Sequence, residues 1–158
     1  MKTRIHRQIT ALCLILLATA CGKDEFTPYD TPFIRIMQAE VSSVTVADNG
    51  TVVGEYLVAL SSRPLTAPLE VNFRVDTGDG LTAGVDYEML TAGTKLVFPV
   101  GVYDMYIRVR WKPNPIDPAK NNTMTITLES TSNPEVVIGL PGPAHNQSQM
   151  VITKVKGS

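Results

Sequence analysis

From residue 33 to residue 155, apolar and polar residues alternate with a period of two, and no stretch of eleven or more carries the 3.6-residue apolar repeat of an amphipathic helix. The pattern predicts an all-β domain. Strands are expected at 33–38, 41–46, 52–61, 69–75, 95–99, 104–111, 124–130 and 149–155. Turn formers separate them: Asp48-Asn49-Gly50, Arg63-Pro64, Gly78-Asp79-Gly80, the proline-rich run 113–118 and Pro141-Gly142-Pro143. Spacing of this kind suits a β-sandwich. Alternation also assigns faces. Leu69, Val71, Phe73 and Val75 point inward, with Glu70, Asn72 and Arg74 outward; Met124, Ile126 and Leu128 point inward against Thr123, Thr125 and Thr127.

The N-terminus breaks this pattern. Residues 1–8 are basic and residues 9–20 form one apolar run, too short to cross a hydrocarbon core that needs roughly 20 residues. It reads as a signal segment. The next residues, Leu17-Ala18-Thr19-Ala20-Cys21-Gly22, resemble the lipobox of bacterial lipoproteins, although Leu17 stands one position further from the cysteine than is usual there. The resemblance implies a lipoprotein signal peptide over 1–20, with Cys21 acylated and left as the first residue. An ordinary signal peptide is the alternative. Lys23-Asp24-Glu25 is similar to the lysine-plus-acids signal that sends Bacteroidota lipoproteins to the cell surface, and reads equally as a solvated charge cluster in a tether. Residues 21–32 are then a lipid-anchored linker, of which 22–32 span roughly 35 Å when extended, and 33–158 are the β-sandwich domain.

Charge and cysteine content narrow the classes. Three of the 14 basic residues lie in the signal segment, leaving 11 against 15 acids, a balance that offers no footprint for a phosphate backbone. Nucleic acid is therefore not an expected partner. Cys13 falls in the signal segment and Cys21 would carry lipid, so no thiol is left for a disulfide or a metal. Several acyl chains on Cys21 would hold the protein to the membrane by its anchor alone.

Within the domain, Gly80-Leu81-Thr82-Ala83-Gly84-Val85-Asp86-Tyr87, then Leu96-Val97-Phe98-Pro99-Val100-Gly101, then Met105-Tyr106-Ile107-Arg108-Val109 resemble the Calx-β repeat. Thr125-Ile126-Thr127-Leu128 and Val151-Ile152-Thr153 fit its last two strands. The resemblance implies an immunoglobulin-like sandwich of about seven strands. Read from the residues alone, Asp86 is a corner device that accepts backbone N–H groups, and Tyr87 buries its ring beside it. Calcium-binding members of the family carry a dense acidic loop after the third motif. Here residues 112–122 hold a single acid and two lysines, whereas calcium takes six to eight oxygens. No metal and no cofactor are expected. Asp76, Asp79, Asp86 and Glu88 could converge on a cation, but acids flanking glycines are also the pattern of a solvated loop, which is the expected role.

Catalytic chemistry finds little support. Asp76-Thr77-Gly78 resembles the aspartic-protease triplet, but Asp79 follows where that motif takes a small residue, so a turn is the expected role. Outside the signal segment the sole histidine is His145, in a proline-rich loop. The chain is expected not to be an enzyme. Trp111 shares the inward phase of Met105, Ile107 and Val109; a core role is expected, with a stacking platform for a sugar ligand as the alternative. Tyr106, Arg108 and Arg110 take the outward phase, and Tyr and Arg are favoured at interface hot spots, so this row is a candidate partner-binding surface, with an ordinary solvated sheet face as the equal alternative.

Anchor, sandwich and the closing run 133–143 together resemble small Bacteroidota surface lipoproteins associated with starch-utilisation-type nutrient importers. The resemblance implies a non-catalytic accessory binding component at the outer membrane. Its partners would be an importer barrel and a partner surface lipoprotein, with a polysaccharide or peptide as ligand. The alternative is a structural or adhesive cell-envelope module without a soluble ligand.

Overall fold

The computed structural model describes residues 31–158. Among them there is no helix, and ten strands form two sheets of five. They are β1 (Phe33–Met37), β2 (Ser43–Ala47), β3 (Val52–Ser61), β4 (Leu69–Thr77), β5 (Tyr87–Met89), β6 (Lys95–Phe98), β7 (Asp104–Trp111), β8 (Thr123–Thr131), β9 (Val137–Ile138) and β10 (Gln149–Val155). The first sheet runs β5-β7-β3-β1-β9 and the second β2-β10-β8-β4-β6. Ten strands replace the expected seven or so. Two of the additions, β5 and β9, are three and two residues long, too short for alternation to register.

Both sheets are mixed. Most neighbours are antiparallel, but β1 pairs parallel with β9 and β2 pairs parallel with β10. The cause is a change of sheet between β1 and β2. Gln38 and Val41 exchange both backbone hydrogen bonds, at 2.9 and 3.1 Å, across a two-residue turn in which Ala39 and Glu40 have φ of 48° and 64°. Such a turn favours Asn-Gly, because side chains crowd the backbone at positive φ. Here it is held from outside: Gln147 donates to the Glu40 carbonyl at 3.0 Å, and Arg35 meets the Glu40 carboxylate at 3.3 Å.

The inward phases of the two sheets meet in one apolar core. Ile34, Ile36, Tyr56, Val58, Ile107, Val109 and Trp111 come from the first sheet; Val71, Phe73, Met124, Ile126, Met150 and Ile152 come from the second. Faces assigned by alternation hold for Leu69, Val71, Phe73, Met124, Ile126 and Leu128, all buried, while Val75 is only half-buried near the end of β4.

Trp111 is completely buried, and its indole N–H donates to the Tyr56 hydroxyl at 3.0 Å. Gly54 makes this contact sterically possible. Gly54 and Tyr56 share the inward phase of β3, and the phenol lies so close over Gly54 that an added Cβ would sit 2.5 Å from the hydroxyl. Burial pushes the Tyr56 hydroxyl up to about 12, although the Trp111 hydrogen bond works the other way. Its stabilising neutral form is thus kept in the fold after the unfolded phenol has begun to ionise near pH ~10, so this contribution is lost as pH rises from about 10 through 12. Trp111→Ala is expected to cost about 3–5 kcal/mol, and Gly54→Ala about 1–3 kcal/mol through displacement of the phenol. Chemical denaturation of the two variants checks both figures, and retention of full stability by Gly54→Ala would contradict the packing described.

Candidate functional site

Two places in the fold gather polar chemistry. The first is internal. The Thr82-Ala83-Gly84 corner closes on itself: Gly84, at φ +83°, donates its N–H to the Tyr87 carbonyl at 2.7 Å, and the Thr82 N–H reaches Asp86 Oδ2 at 2.8 Å. Asp86 therefore caps backbone N–H as its position in the motif predicts, and the Tyr87 ring packs tilted against Trp111 with centroids 6.1 Å apart. Alternation had not singled out the other partner. Lys154 on β10 lies fully buried and donates to Asp86 Oδ1 at 2.7 Å. The signal was present, since Lys154 continues the inward phase of Met150 and Ile152. Asn114 adds a hydrogen bond to the same oxygen at 2.9 Å.

Burial alone would raise the Asp86 carboxyl, yet the hydrogen bonds from Lys154, Asn114 and Thr82 outweigh it and hold the group below the usual carboxylate range. Asp48 is lowered too, chiefly by the Gly157 N–H at 2.8 Å and then the Ile116 N–H at 3.1 Å. Residues 112–122 are thus pinned across one end of the molecule. Asn114 N–H also bonds the Asp48 carbonyl, Asn121 N–H bonds Asp79 Oδ1 at 2.9 Å, and Lys112 reaches the Gly84 carbonyl at 2.9 Å. The Gly78-Asp79-Gly80 run is needed for this fit: an added Cβ at either glycine would lie 2.2 Å from Asn121 or Asn122.

The acids of this region do not converge. Asp76 pairs with Arg74, Asp79 caps Asn121, Asp86 holds Lys154, and Glu88 meets Arg110 at 2.9 Å. Among the described residues no group of three metal-ligating side chains is assembled. Asp76 stands exposed at the end of β4, and His145 lies in an exposed loop at φ 44°. A surface cleft of about 320 Å³ lined by residues 65–69 and 132–134 contains no titratable side chain.

The second place is external. On β7, Tyr106, Arg108 and Arg110 face outward together, and β3 and β5 extend the surface on either side. Register sets the rows: Tyr106 opposite Leu57, Arg108 opposite Glu55, Arg110 between Val53 and Glu88. Arg108 pairs with Glu55 at 3.0 Å and Arg110 with Glu88 at 2.9 Å. Leu90 flanks Arg108 through a backbone bond of 2.9 Å. Tyr106 and Val53 are 44% and 43% exposed, so apolar groups alternate with ion-paired guanidiniums. The neighbours Glu55, Glu88, Leu57 and Leu90 belong to separate chain segments and become visible only through register. Trp111, by contrast, offers no ring face to a ligand. Cys21 and Lys23, Asp24 and Glu25 lie outside the described residues.

No family model matches the chain, and no curated protein matches it. Similar folds occur in two crystal structures of proteins of unknown function from Bacteroides ovatus. One has a TM-score of 0.54 at 14% identity, covering 79% of this chain and 47% of that one. For the other the values are 0.53 and 13%, with 78% and 44% covered. The chain spans less than half the length of these neighbours, and the likeness is one of fold.

Breaking a buried pair strands a charge, so Asp86→Asn or Lys154→Met alone should cost about 3–5 kcal/mol, while Asp86→Leu with Lys154→Met should recover a large part. Lowered carboxyl pKa values contribute stability that is present above the unfolded value near ~4 and lost as pH falls through the folded value. Wild type should therefore weaken below about pH 4, and Asp86→Asn should show a shallower acid limb in denaturant titrations across pH 2–7. Thermal melts in chelator and in millimolar calcium should coincide; a rise of several degrees with calcium would reveal a cation site.

Proposed function

We propose that this chain is a non-catalytic, surface-exposed outer-membrane lipoprotein that serves as an accessory binding component of a nutrient import complex. The observation that carries this reading is the outward β5-β7-β3 surface, where Tyr106, Val53 and Leu90 surround two guanidiniums already oriented by Glu55 and Glu88. Exposed ion pairs of this kind add little stability, about 0–1 kcal/mol each. They fix the arginine geometry while leaving further N–H donors free to meet a partner, and less side-chain entropy remains to be lost on docking.

An immunoglobulin-like arrangement of the Calx-β kind is the finer fold reading, supported by the Thr82-Ala83-Gly84 corner with Asp86 and Tyr87. The anchor at Cys21 and the export signal at Lys23, Asp24 and Glu25 rest on their sequence resemblance. An anchored protein is confined to a plane, so a contact too weak to hold in solution is strengthened by effective concentration. The ligand of the complex is a glycan or a peptide, and the partners are an importer barrel and its surface lipoprotein.

Arg108→Glu with Arg110→Glu places like charges opposite Glu55 and Glu88 and reverses the surface. Pull-down of the full chain from detergent-solubilised membranes should recover an importer barrel or its lipoprotein partner, and the double variant should lose most of that recovery. If wild type resists protease shaving of intact cells and no membrane partner co-purifies, the structural or adhesive envelope module replaces this reading.

A further inference from the structure

Sheets end in edges, and an unpaired edge is a template for another strand unless it is shortened, charged or covered. Three of the four edge strands here are protected. β5 and β9 have three and two residues, and β6 carries Lys95 at its start and is followed by Pro99. The fourth, β2, is not. Ser43-Val44-Thr45-Val46-Ala47 has no charge, proline, glycine or bulge, and among the described residues nothing pairs with its outer side.

Hydrogen-bond direction along β2 follows from its ends. Ser42 accepts from Val151 N–H at 2.8 Å and Asp48 N–H donates to Val155 at 2.9 Å, so the even-numbered residues face β10. The N–H and C=O of Ser43, Thr45 and Ala47 then point to the open edge. Beside that edge runs a groove of about 110 Å³, with Val44 and Val46 on one side and Val52, Val53 and Gly54 on the other. β3 is open there too, because its pairing with β1 ends at Leu57.

We infer that β2 is a self-association edge, on which a second copy of this chain adds its own β2 antiparallel about a two-fold axis through Thr45. This goes beyond the import reading and uses a different edge, which adjoins the Arg108 and Arg110 surface at Val53. Self-complementarity selects the occupant. The strand reads small, Val, Thr, Val, small from either end, so antiparallel pairing about Thr45 sets Ser43 against Ala47, Val44 against Val46 and Thr45 against itself. The three open residues become hydrogen-bonded pairs, two bonds in each, and the half-exposed Val44 and Val46 meet their counterparts over the groove. No charge lies between Val41 and Ala47, so the two-fold brings no like charges together within the paired segment. An isologous contact of this kind closes on itself and stops at two copies.

The test uses the full chain in mild detergent under reducing conditions, with sedimentation equilibrium at concentrations up to the order of 100 µM. Wild type should reach a dimer. Thr45→Lys puts two ammonium groups on the axis while its exposed side chain leaves the core untouched, and should weaken dimerisation at least tenfold with an unchanged melting temperature. A second variant, Thr45→Cys, should give an oxidised dimer that Thr125→Cys, placed inside the same sheet, does not give. A wild type that stays monomeric overturns the inference, as does a dimer indifferent to Thr45→Lys or a monomer that instead takes up an uncharged peptide strand. Loss of the dimer with importer recovery intact would separate this edge from the Arg108 and Arg110 surface.

Discussion

The Asp86–Lys154 pair ties the corner before β5 directly to the last strand, β10. Asp86 closes the corner that leads into β5 of the first sheet, and Lys154 stands on β10 of the second. A buried ion pair is a poor source of net stability, because removing both charges from water costs several kcal/mol per ion. Its value is conditional. With every Asp86 oxygen occupied by Lys154, Asn114 or Thr82, only one placement of the corner, the last strand and the segment 112–122 satisfies the charge. A different sheet register leaves an ammonium or a carboxylate in the core alone, at a cost no repacking of valines would offset. The pair thus acts on which fold forms more than on how stable it is.

The same end of the molecule is finished by backbone polarity. The segment 112–122 contains three prolines and no strand, so its own backbone groups find few partners within it. Asp48, Asp79 and Asp86 supply acceptors for its N–H groups, and Asp48 also receives Gly157 near the C-terminus. Three carboxylates that a charge count assigns to solvent are instead fasteners. General acid–base work at neutral pH uses a carboxyl whose pKa is drawn up toward neutrality. Asp48 and Asp86 are drawn the other way.

Legibility in the sequence followed the range of the interactions. Period-two alternation located every strand of four residues or more and gave the inward faces of β4, β7 and β8, because a half-buried strand prints its environment on consecutive residues. It missed β5 and β9, which exist through their neighbours β7 and β1. The change of sheet between β1 and β2 was equally hidden, since Ala39 and Glu40 lack the turn residues that positive φ prefers and are held by Arg35 and Gln147. Trp111 and the row Tyr106, Arg108 and Arg110 could be assigned to opposite faces from phase alone. That the arginines are ion-paired could not, because Glu55 lies 53 and Glu88 22 positions away from their partners in sequence. Lys154 carries a legible signal, since a lysine in the inward phase of a strand demands a buried carboxylate, but its partner Asp86 reads in sequence only as a corner residue that accepts backbone N–H groups.

Surface and core therefore divide the work in a way the residue types reflect. Inside, polarity serves specification, through the Asp86–Lys154 pair, the Trp111–Tyr56 bond, the buried Asp48 and Asn122 that fasten loop backbone, and glycines at 54, 78 and 80 that admit their neighbours. Outside, the two sheets treat charge differently. On the second sheet Arg74 pairs with Asp76 and Glu129, and Lys95 with Glu70, so cations and acids neutralise one another across the face. On the first sheet the paired arginines share their surface with Tyr106, Val53, Leu57 and Leu90, leaving apolar area beside oriented donors. Burial of such a mixed surface releases water from the apolar groups without stranding a charge, since each guanidinium takes its carboxylate with it. With the interior committed in this way, the outer face of the first sheet keeps apolar area beside oriented N–H donors, and among the described residues β2 keeps unpaired backbone groups along its edge.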